Sequence, residues 1–447
     1  MPILVFFYIL SIVLYRYSAN DRGVPVKKAV VYTKNEHNIS LEKIDQDALR
    51  IVKYLRDNGF DSYIVGGAVR DLIVGRTPKD FDIVTDATPA RIKKLFRNSR
   101  IIGKRFRLVH VFYGTKIFEV STFRSTEDGT VGNKFGTIDE DVKRRDFTLN
   151  ALYYDPIKEQ IIDYVGGIKD IKNRRIEPVI PLNVIFKDDP VRMLRAIKYA
   201  AGTGFHLPRR VKHAICKSAK LLAPVSPSRL TEELIKILNS GNACDIVTLA
   251  LQTDLYMHIQ PAACALIYAD SSFEKKYMKS LQELDQMIAA DSEARLGKKL
   301  SYIIQDFIES LTDWKKEIAE NPNPSELYAR TWTQCRNFVL PMNPPRIELE
   351  FAIRTCLKKL GVNTKIPKSA FTNKSVKNAA ANANGNEQKT AKSARANEGR
   401  RRRYKSSKNK MSELSAENGK NTPKAAAANI PASVAGTAQT KNPVAVL

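Results

Sequence analysis

Asp80 and Asp82 lie one residue apart in the segment KDFDIVT of this 447-residue chain. Two carboxylates in an apolar segment repel each other and resist burial, so another group must hold them there. On a strand, residues i and i+2 share a face, so both carboxylates would point the same way while Phe81 and Ile83 enter the core. The spacing therefore predicts a site for one or two Mg²⁺ ions, with Mn²⁺ as a substitute, because oxygen ligands suit these ions. An isolated D-x-D pattern is also typical of a solvated strand edge.

A glycine pair precedes the two aspartates. Gly66 and Gly67 follow a predicted strand at residues 62–65 and open a short predicted helix that Gly75 ends. Glycine lets the backbone approach a phosphate closely, and the helix N-terminus favours anions. Since Mg²⁺ held by carboxylates also binds substrate phosphates, the segment predicts a phosphate site beside the metal. An ordinary strand-to-helix turn is the alternative interpretation.

Three further polar residues are candidates for the same site. Glu119 lies mid-strand between two apolar residues, where it either joins the metal site or occupies the exposed face of the strand. A helix is predicted from Val142 through the segment KRRDFTLNALYY. On that helix Asp146 and Asn150 would share a face at i, i+4 and could together contact a ribose or a base. A helix start with its polar groups in solvent is the alternative.

The pattern of elements predicts an α+β fold. Helices are predicted at residues 45–58 and 88–96, a further strand at 81–85, a short strand in the segment QIIDYVGG (160–167), and a hairpin around Gly114. After residue 173 the strand signals nearly disappear and helical segments follow. We therefore predict a catalytic head, with a small mixed sheet and flanking helices, and then an all-helical neck and body. The predicted regions are an apolar, irregular N-terminal extension (1–35), the catalytic head (36–173), a neck (174–260) expected to bind nucleotide and RNA, the body (261–362) and a disordered basic tail (363–447).

The net charge of +26 indicates a polyanionic partner, nucleic acid or acidic lipid. Much of it lies in residues 366–447, which hold 16 basic and 4 acidic residues and few aromatics. This composition predicts disorder. The densest basic patch suits contact with a nucleic-acid backbone, and a solvated tail without a partner is the alternative. The patch comprises Arg400, Arg401, Arg402 and Arg403.

The five cysteines are scattered and form no C-x-x-C pair, which fits a reducing, cytoplasmic protein without a disulfide framework. The apolar run at residues 3–15 is shorter than the roughly 17–25 residues of a membrane span. It also lacks the flanks of a signal peptide. We expect a dispensable extension or a mis-assigned start, and no membrane contact.

Three segments, in this order, resemble the signature blocks of the bacterial poly(A) polymerase and tRNA nucleotidyltransferase (CCA-adding) family. They are VGGAVRDLIVGRTPKDFDIVT (65–85), RRDFTLNAL (144–152) and DDPVRMLRA (188–196). The resemblance runs from about residue 36 to about residue 255. It implies that Asp80 and Asp82 hold the catalytic Mg²⁺, with Glu119 as a possible third acid. The residues implied to bind the nucleotide are Gly66, Gly67, Arg70, Asp71, Arg145, Asp146, Asn150, Asp189, Arg192 and Arg195.

Within that set, the resemblance gives different residues different roles. The glycines with Arg70 and Asp71 would shape the triphosphate pocket, and Asp189 and Arg192 would read the base in place of a template strand. On a helix, residues i and i+3 face one way, so their spacing allows this. Family members often carry Glu-Asp where this chain has Asp188-Asp189, which leaves fine base selection open.

The segment RIIGKRFRLVHVFYG (100–114) resembles one that marks the poly(A) polymerase branch. Lys104, Arg105 and Arg107 surround one aromatic residue, a combination suited to a single-stranded RNA end. An exposed basic turn is the alternative. The resemblance thus implies a monomeric, cytoplasmic enzyme that adds AMP from ATP to RNA 3′ ends, releases pyrophosphate by two-metal catalysis and promotes RNA turnover with RNA-decay proteins. The alternatives are a CCA-adding or A-adding tRNA nucleotidyltransferase, and a non-catalytic RNA-binding protein on the same scaffold.

Overall fold

The computed structural model describes residues 14–19, 25–103, 108–127, 134–321 and 323–364. All of them belong to the first of two units into which the chain divides, Met1–Ala370. Several predictions fall outside the described residues. These are the RNA-binding residues Lys104, Arg105, Arg107 and Arg400 to Arg403, the basic tail from residue 365 onward, and most of the apolar run at residues 3–15.

The head is built on one mixed sheet with strand order β1-β2-β9-β8-β3-β4-β7-β6-β5. Neighbouring strands are antiparallel except for β4 and β7, which are parallel. The strands are β1 (Leu14–Ala19), β2 (Pro25–Tyr32), β3 (Ser62–Val65), β4 (Asp82–Thr85), β5 (Ser99–Ile102), β6 (Leu108–Tyr113), β7 (Lys116–Thr122), β8 (Leu152–Asp155) and β9 (Gln160–Asp163).

Strand β4 positions the acidic residues of the head. Its first residue, Asp82, pairs with Val65 on β3, and its parallel register with β7 places Glu119 beside Asp82. The β6–β7 hairpin turns at Gly114, where φ is +58°, and brings His110 opposite Glu119. Three polar side chains from three adjacent strands therefore lie along one face of the sheet.

Short helices flank the sheet. Helix α2 begins after Asp45, whose side chain accepts a hydrogen bond from the Asp47 N–H, and it buries one apolar face as its periodicity predicts. The head helices are α1 (Lys34–His37), α2 (Gln46–Asp57), α3 (Gly67–Ile73), α4 (Pro89–Leu95), α5 (Ile138–Lys143) and α6 (Gly167–Lys172), with 3₁₀ turns at Leu41–Lys43 and Thr148–Asn150.

Beyond the head, the described chain is helical, as predicted. One hydrophobic core runs from Ile39 in the head to Val362 without a break at the predicted boundaries 173 and 260. None of the helices in the described ranges combines the length and the hydropathy that a bilayer span needs. The helices are α7 (Leu182–Asp188), α8 (Val191–Thr203), α9 (Arg209–Ser218), α10 (Pro227–Leu238), α11 (Ala243–Leu251), α12 (Tyr256–Ile259), α13 (Pro261–Ala269), α14 (Ser271–Ala290), α15 (Leu296–Ser310), α16 (Trp314–Glu320), α17 (Pro324–Phe338) and α18 (Arg346–Lys359), with a 3₁₀ turn at Ala219–Leu222.

Two parts of the head differ from the sequence prediction. Strands β1 and β2 precede residue 36, yet β2 pairs with β9 and Ala29 is buried, so the sheet includes part of the predicted extension. The helix predicted from Val142 onward is wrong. Helix α5 ends at Lys143, and a turn, a 3₁₀ segment and strand β8 follow. The apolar residues of that segment have strand neighbours on both sides, and this tertiary pairing overrides the local helical pattern.

Candidate active site

An open cleft of about 560 Å³ lies between the sheet end of the head and two helices of the predicted neck. Asp80 and Asp82 line it together with the residues that follow Gly66. The opposite wall comes from α8, α10 and the turn after α10. From the head the lining residues are Gly67, Ala68, Arg70, Asp71, Arg76, Thr77, Lys79, Asp80 and Asp82, and from the helices they are Lys198, Tyr199, Gly202, Thr203, Lys236, Ser240 and Asn242.

The two aspartates meet at the start of β4. Phe81 and Ile83 are buried as predicted. Asp80 lies in the loop before β4, so only Asp82 has the strand conformation that the sequence predicts for both aspartates. Asp82 is exposed to solvent in the cleft, although enough protein surrounds its carboxyl group to desolvate it in part. This burial raises the pKa of Asp82 to about 6, with help from the charges of Glu119 and Asp80 and against the opposing effect of Arg145.

Glu119 has features of both sequence interpretations, an exposed strand residue and a neighbour of the carboxylate pair. Its side chain is half exposed on the open face of β7, and His110 Nε2 lies 3.4 Å from its Oε1. Its negative charge nevertheless acts on Asp82 more strongly than that of Asp80 does. Glu119 therefore lies at the edge of the carboxylate site.

The carboxylates fit a divalent cation by their chemistry. Burial, and then the charges of Glu119 and Asp80, raise the pKa of Asp82, and a bound cation would stabilise its ionised form. Across the described ranges, no three Asp, Glu, His or Cys side chains are grouped closely enough to form a complete metal site. Asp80 and Asp82 would therefore hold Mg²⁺ with the help of substrate phosphates and water, which is its usual mode of binding.

The raised pKa predicts how metal-free stability depends on pH. Because the folded state binds this proton more tightly than the unfolded chain, the contribution of Asp82 to folding falls as pH rises from about 4 to about 6. Asp82→Asn should then stabilise the metal-free protein at pH 7.5, by about 1 kcal/mol after allowance for solvent screening. Thermal unfolding with a chelator measures this effect. Mg²⁺ should raise the melting temperature of the original protein more than that of the variant, and a lower melting temperature for Asp82→Asn in chelator would contradict the prediction.

Gly66 and Arg70 shape the head wall of the cleft. Gly66 has φ +73° and ψ −136°, a conformation that only glycine adopts readily, and a Cβ there would lie 3.7 Å from Asp82 Oδ2. Arg70 donates through Nε to Asp71 Oδ1 at 2.9 Å and through Nη1 to Asn150 Oδ1 at 2.9 Å. Its guanidinium also lies over the Tyr199 ring, 5.7 Å from the centroid. Arg70 thereby links the glycine turn, the 3₁₀ segment and α8.

Arg145 lies behind the carboxylates in a buried network. It donates to Asp141 Oδ2 at 2.9 Å, to the Tyr153 hydroxyl at 2.8 Å and to the Asn150 carbonyl at 3.3 Å. Although burial opposes it, Tyr153 and Asp141 raise the pKa of Arg145, so the guanidinium stays charged. Arg145 is therefore held by protein groups, and its positive charge acts to lower the pKa of Asp82.

Asp146 and Asn150 do not share a helical face, because the chain between them is a turn and a 3₁₀ segment. Asp146 Oδ2 lies 3.7 Å from Arg195 Nη1 of α8, whereas Asn150 is bound by Arg70. Each of the two residues therefore contacts a different arginine of the site. The predicted shared helical face is not formed.

The pair Asp189 and Arg192 also differs from the expected helical arrangement. Asp189 precedes α8 in extended backbone and caps it, since its Oδ1 accepts from the Val191 N–H at 3.1 Å. Its Oδ2 accepts from Arg229 of α10 at 2.6 Å, and the residue is only 5% exposed. Arg192 is equally buried and donates to two backbone carbonyls. Asp189 therefore forms an ion pair with Arg229, a partner that the sequence pattern does not indicate.

Sequence analysis also missed the helical wall of the cleft. Lys198, Tyr199 and Lys236 line it, and none belongs to a chemical motif. The available signal was the segment SRLTEELIKIL, in which an acid and a lysine lie at i, i+3 on a helix. Such pairs are common on solvated helices, so the tertiary structure was needed to place them in the cleft.

Comparisons with known proteins agree with this architecture. Residues 62–177 match the family model "Poly A polymerase head domain", and residues 204–267 match "Probable RNA and SrmB- binding site of polymerase A". A poly(A) polymerase I of Escherichia coli O6:H1 is 36% identical over 292 residues, which are 61% of this chain and 63% of that protein. A CCA-adding enzyme of Lactobacillus helveticus is 39% identical over 197 residues, 42% of this chain and 49% of that protein. Over these residues the chain is similar to poly(A) polymerases and CCA-adding enzymes.

The two family models match most of the head, most of the predicted neck and the start of the predicted body, as far as residue 267. This chain spans about 63% of the length of the E. coli relative. Among solved structures, a CCA-adding enzyme in complex with CTP has a TM-score of 0.51 and 21% identity over 76% of this chain and 88% of that chain. That similarity shows the shared fold.

Proposed function

We propose that this chain is a template-independent nucleotidyltransferase that adds AMP from ATP to RNA 3′ ends. The observation that carries the proposal is one cleft in which Asp80 and Asp82 face Arg70, Asp71 and the glycine turn. Negative oxygen ligands and a phosphate-binding backbone are the two parts that phosphoryl transfer needs at one place. The matches to the poly A polymerase head domain and to poly(A) polymerase I support the same activity.

In the proposed reaction, the RNA 3′ oxygen forms a bond to the α-phosphorus of ATP, and the bond to the β-phosphate oxygen breaks to release pyrophosphate. Mg²⁺ held by Asp80 and Asp82, as a pair of ions, would lower the pKa of the 3′-hydroxyl and neutralise charge on the α-phosphate. Gly66 and Gly67 leave room for the triphosphate, and Arg70, fixed by Asp71 and Asn150, supplies positive charge at the head wall. Arg145 limits the repulsion at Asp82.

We propose that base selection rests on Asp189 and Arg192, with Asp146 and Arg195 beside them. A carboxylate offers about four lone-pair sites, so Asp189 can keep its hydrogen bond from Arg229 while it accepts a hydrogen bond from an adenine amino group. Arg192 lies within electrostatic reach of both Asp189 and Asp146. The four residues thus form a charged edge at the junction of the head and α8.

Tail synthesis and CCA addition differ in substrates, so incorporation distinguishes them. Poly(A) polymerase I is similar over 61% of this chain and the CCA-adding enzyme over 42%, which favours tail synthesis. The test compares ATP and CTP on a generic single-stranded RNA and on tRNA lacking its CCA end. We expect long tails from ATP alone on the generic RNA. Strong CTP incorporation on the trimmed tRNA without tail growth would instead support the CCA-adding alternative.

The basic tail predicts a salt effect on RNA binding. Truncation after Asn363 removes the patch around Arg400 and should flatten the plot of log affinity against log salt, since fewer phosphates are neutralised. Each lost phosphate contact should reduce the slope by about 0.7 for single-stranded RNA. Filter binding of a labelled oligonucleotide at several salt concentrations measures it. An unchanged slope would exclude the tail as an RNA contact.

We further propose that the protein acts as a monomer in the cytoplasm, with RNA-decay proteins as partners, and that its tails promote RNA turnover. The scattered cysteines, which form no C-x-x-C pair in the sequence, motivate the proposal of a reducing compartment. Size-exclusion chromatography with light scattering tests the monomer, and a dimer mass would contradict it.

A further inference from the structure

A buried glutamate on α10 holds two lysines at the helical wall of the cleft. Glu233 is 3% exposed, and its oxygens accept from Lys198 Nζ at 3.0 Å and from Lys236 Nζ at 2.8 Å. Burial by itself would raise the pKa of Glu233, but the two lysines keep it below its usual range, so the carboxylate stays ionised. One negative charge thus fixes two positive charges, and the group carries a net charge of +1.

Both lysines line the cleft that contains Asp80 and Asp82. Lys198 has a mostly buried side chain, whereas that of Lys236 is 53% exposed. From the head, Arg76 and Lys79 line the same cleft, and Arg76 donates to backbone carbonyls of α8. Four cations from two walls therefore surround the space next to the carboxylates.

Glu233 has more ammonium partners than its burial requires. A single ammonium partner would compensate the charge of Glu233, and lysine side chains ordinarily keep their charge in water. Each ammonium has three donors, and the bond to Glu233 uses one. Lysines positioned in this way act as point charges for a phosphate group.

We propose that Lys198 and Lys236, positioned by Glu233, bind the phosphodiester backbone of the RNA strand next to its 3′ end. This inference rests on the proposed function, because it assigns the second substrate to the helical wall. ATP and RNA both offer phosphates, but the groups suited to a triphosphate, Gly67 and Arg70, lie on the head wall. Transfer requires the 3′-hydroxyl at the same carboxylates, and the opposite wall is the place that remains for the strand.

The test uses Lys236→Ala in the full chain, since this side chain is half exposed and its loss spares the core. Binding of a fluorescent 15-residue oligoadenylate is measured without ATP at several salt concentrations. We expect affinity to fall about fivefold to tenfold and the salt slope to decrease by about 0.7. Lys276→Ala on α14, outside the cleft, is the matched control and should change neither value.

Steady-state kinetics separate the two phosphate sources. Lys236→Ala should raise KM for RNA about as much as it weakens binding and leave KM for ATP within about twofold. A raised KM for ATP with unchanged RNA binding would overturn the inference and assign the lysines to the triphosphate. Unchanged values for both substrates would also overturn it.

Glu233→Gln distinguishes positioning from simple attraction. The substitution makes the wall more positive, so attraction alone predicts tighter RNA binding, whereas loss of positioning predicts weaker binding. We expect weaker binding, with the melting temperature measured alongside, and tighter binding would contradict the role of Glu233. RNA binding is measured in the absence of ATP, so the result does not depend on catalysis. If the protein transfers no AMP while Lys236→Ala still loses RNA affinity, the proposed function fails and the RNA site stands.

Discussion

Replacing both Asp80 and Asp82 by alanine is expected to reduce AMP transfer by a factor on the order of 10³ or more while RNA binding stays largely intact. The substitution removes the oxygens that would hold Mg²⁺ at the floor of the cleft. It also removes negative charge from a site where the pKa of Asp82 is already raised to about 6, so RNA affinity should not decrease. Single-turnover extension of a labelled RNA measures transfer, and filter binding measures affinity.

A matched control for this experiment is Asp86→Ala. Asp86 follows the other end of β4 and does not line the cleft, so transfer should stay close to that of the original protein. Retained transfer in the Asp80/Asp82 double variant would contradict the metal role of the pair. Absence of transfer in the original protein, with normal RNA binding, would favour the non-catalytic RNA-binding alternative.

The second large effect is expected at Asp141, in the buried network behind the site. Asp141 is 5% exposed and accepts from Arg145 at 2.9 Å and from the Tyr153 hydroxyl at 2.8 Å, with Arg144 Nε at 3.5 Å. Asp141→Ala leaves these arginines without their shared carboxylate. The free energy of unfolding should fall by roughly 3–5 kcal/mol, the usual cost of breaking a buried pair. Urea denaturation measures it.

Tyr153→Phe provides the graded comparison for Asp141→Ala. It removes only a hydroxyl from the network and should cost about 1–2 kcal/mol. Burial alone would raise the pKa of Asp141, but Arg145 and Arg144 hold it below its usual range. The stabilisation by Asp141 is therefore present above about pH 4 and is lost as pH falls through its lowered pKa. Equal losses in the two variants, or no pH dependence, would show that the arginines depend on other acids.

Several parts of the protein follow from local signals in the amino-acid sequence. The apolar period of α2, the turn glycine of the β6–β7 hairpin and the glycine at position 66 each specify their own conformation, because propensity and backbone sterics act over a few residues. In the same way, the motif around Asp80 and Asp82 predicts that these two carboxylates lie beside a glycine turn. The head-then-helices order also followed from segment composition.

Long-range packing determines which side chains share a site. The local pattern predicts a helix from Val142 to Tyr154, but pairing of β8 with β3 and β9 makes part of this segment a strand, because sheet pairing depends on distant residues. The same long-range packing gives Asp189 its partner Arg229 and brings Glu233 with its two lysines to the cleft. Charges that are 40 residues apart carry no mutual signal in the sequence. Their electrostatic roles are set by burial and distance, which the fold alone provides.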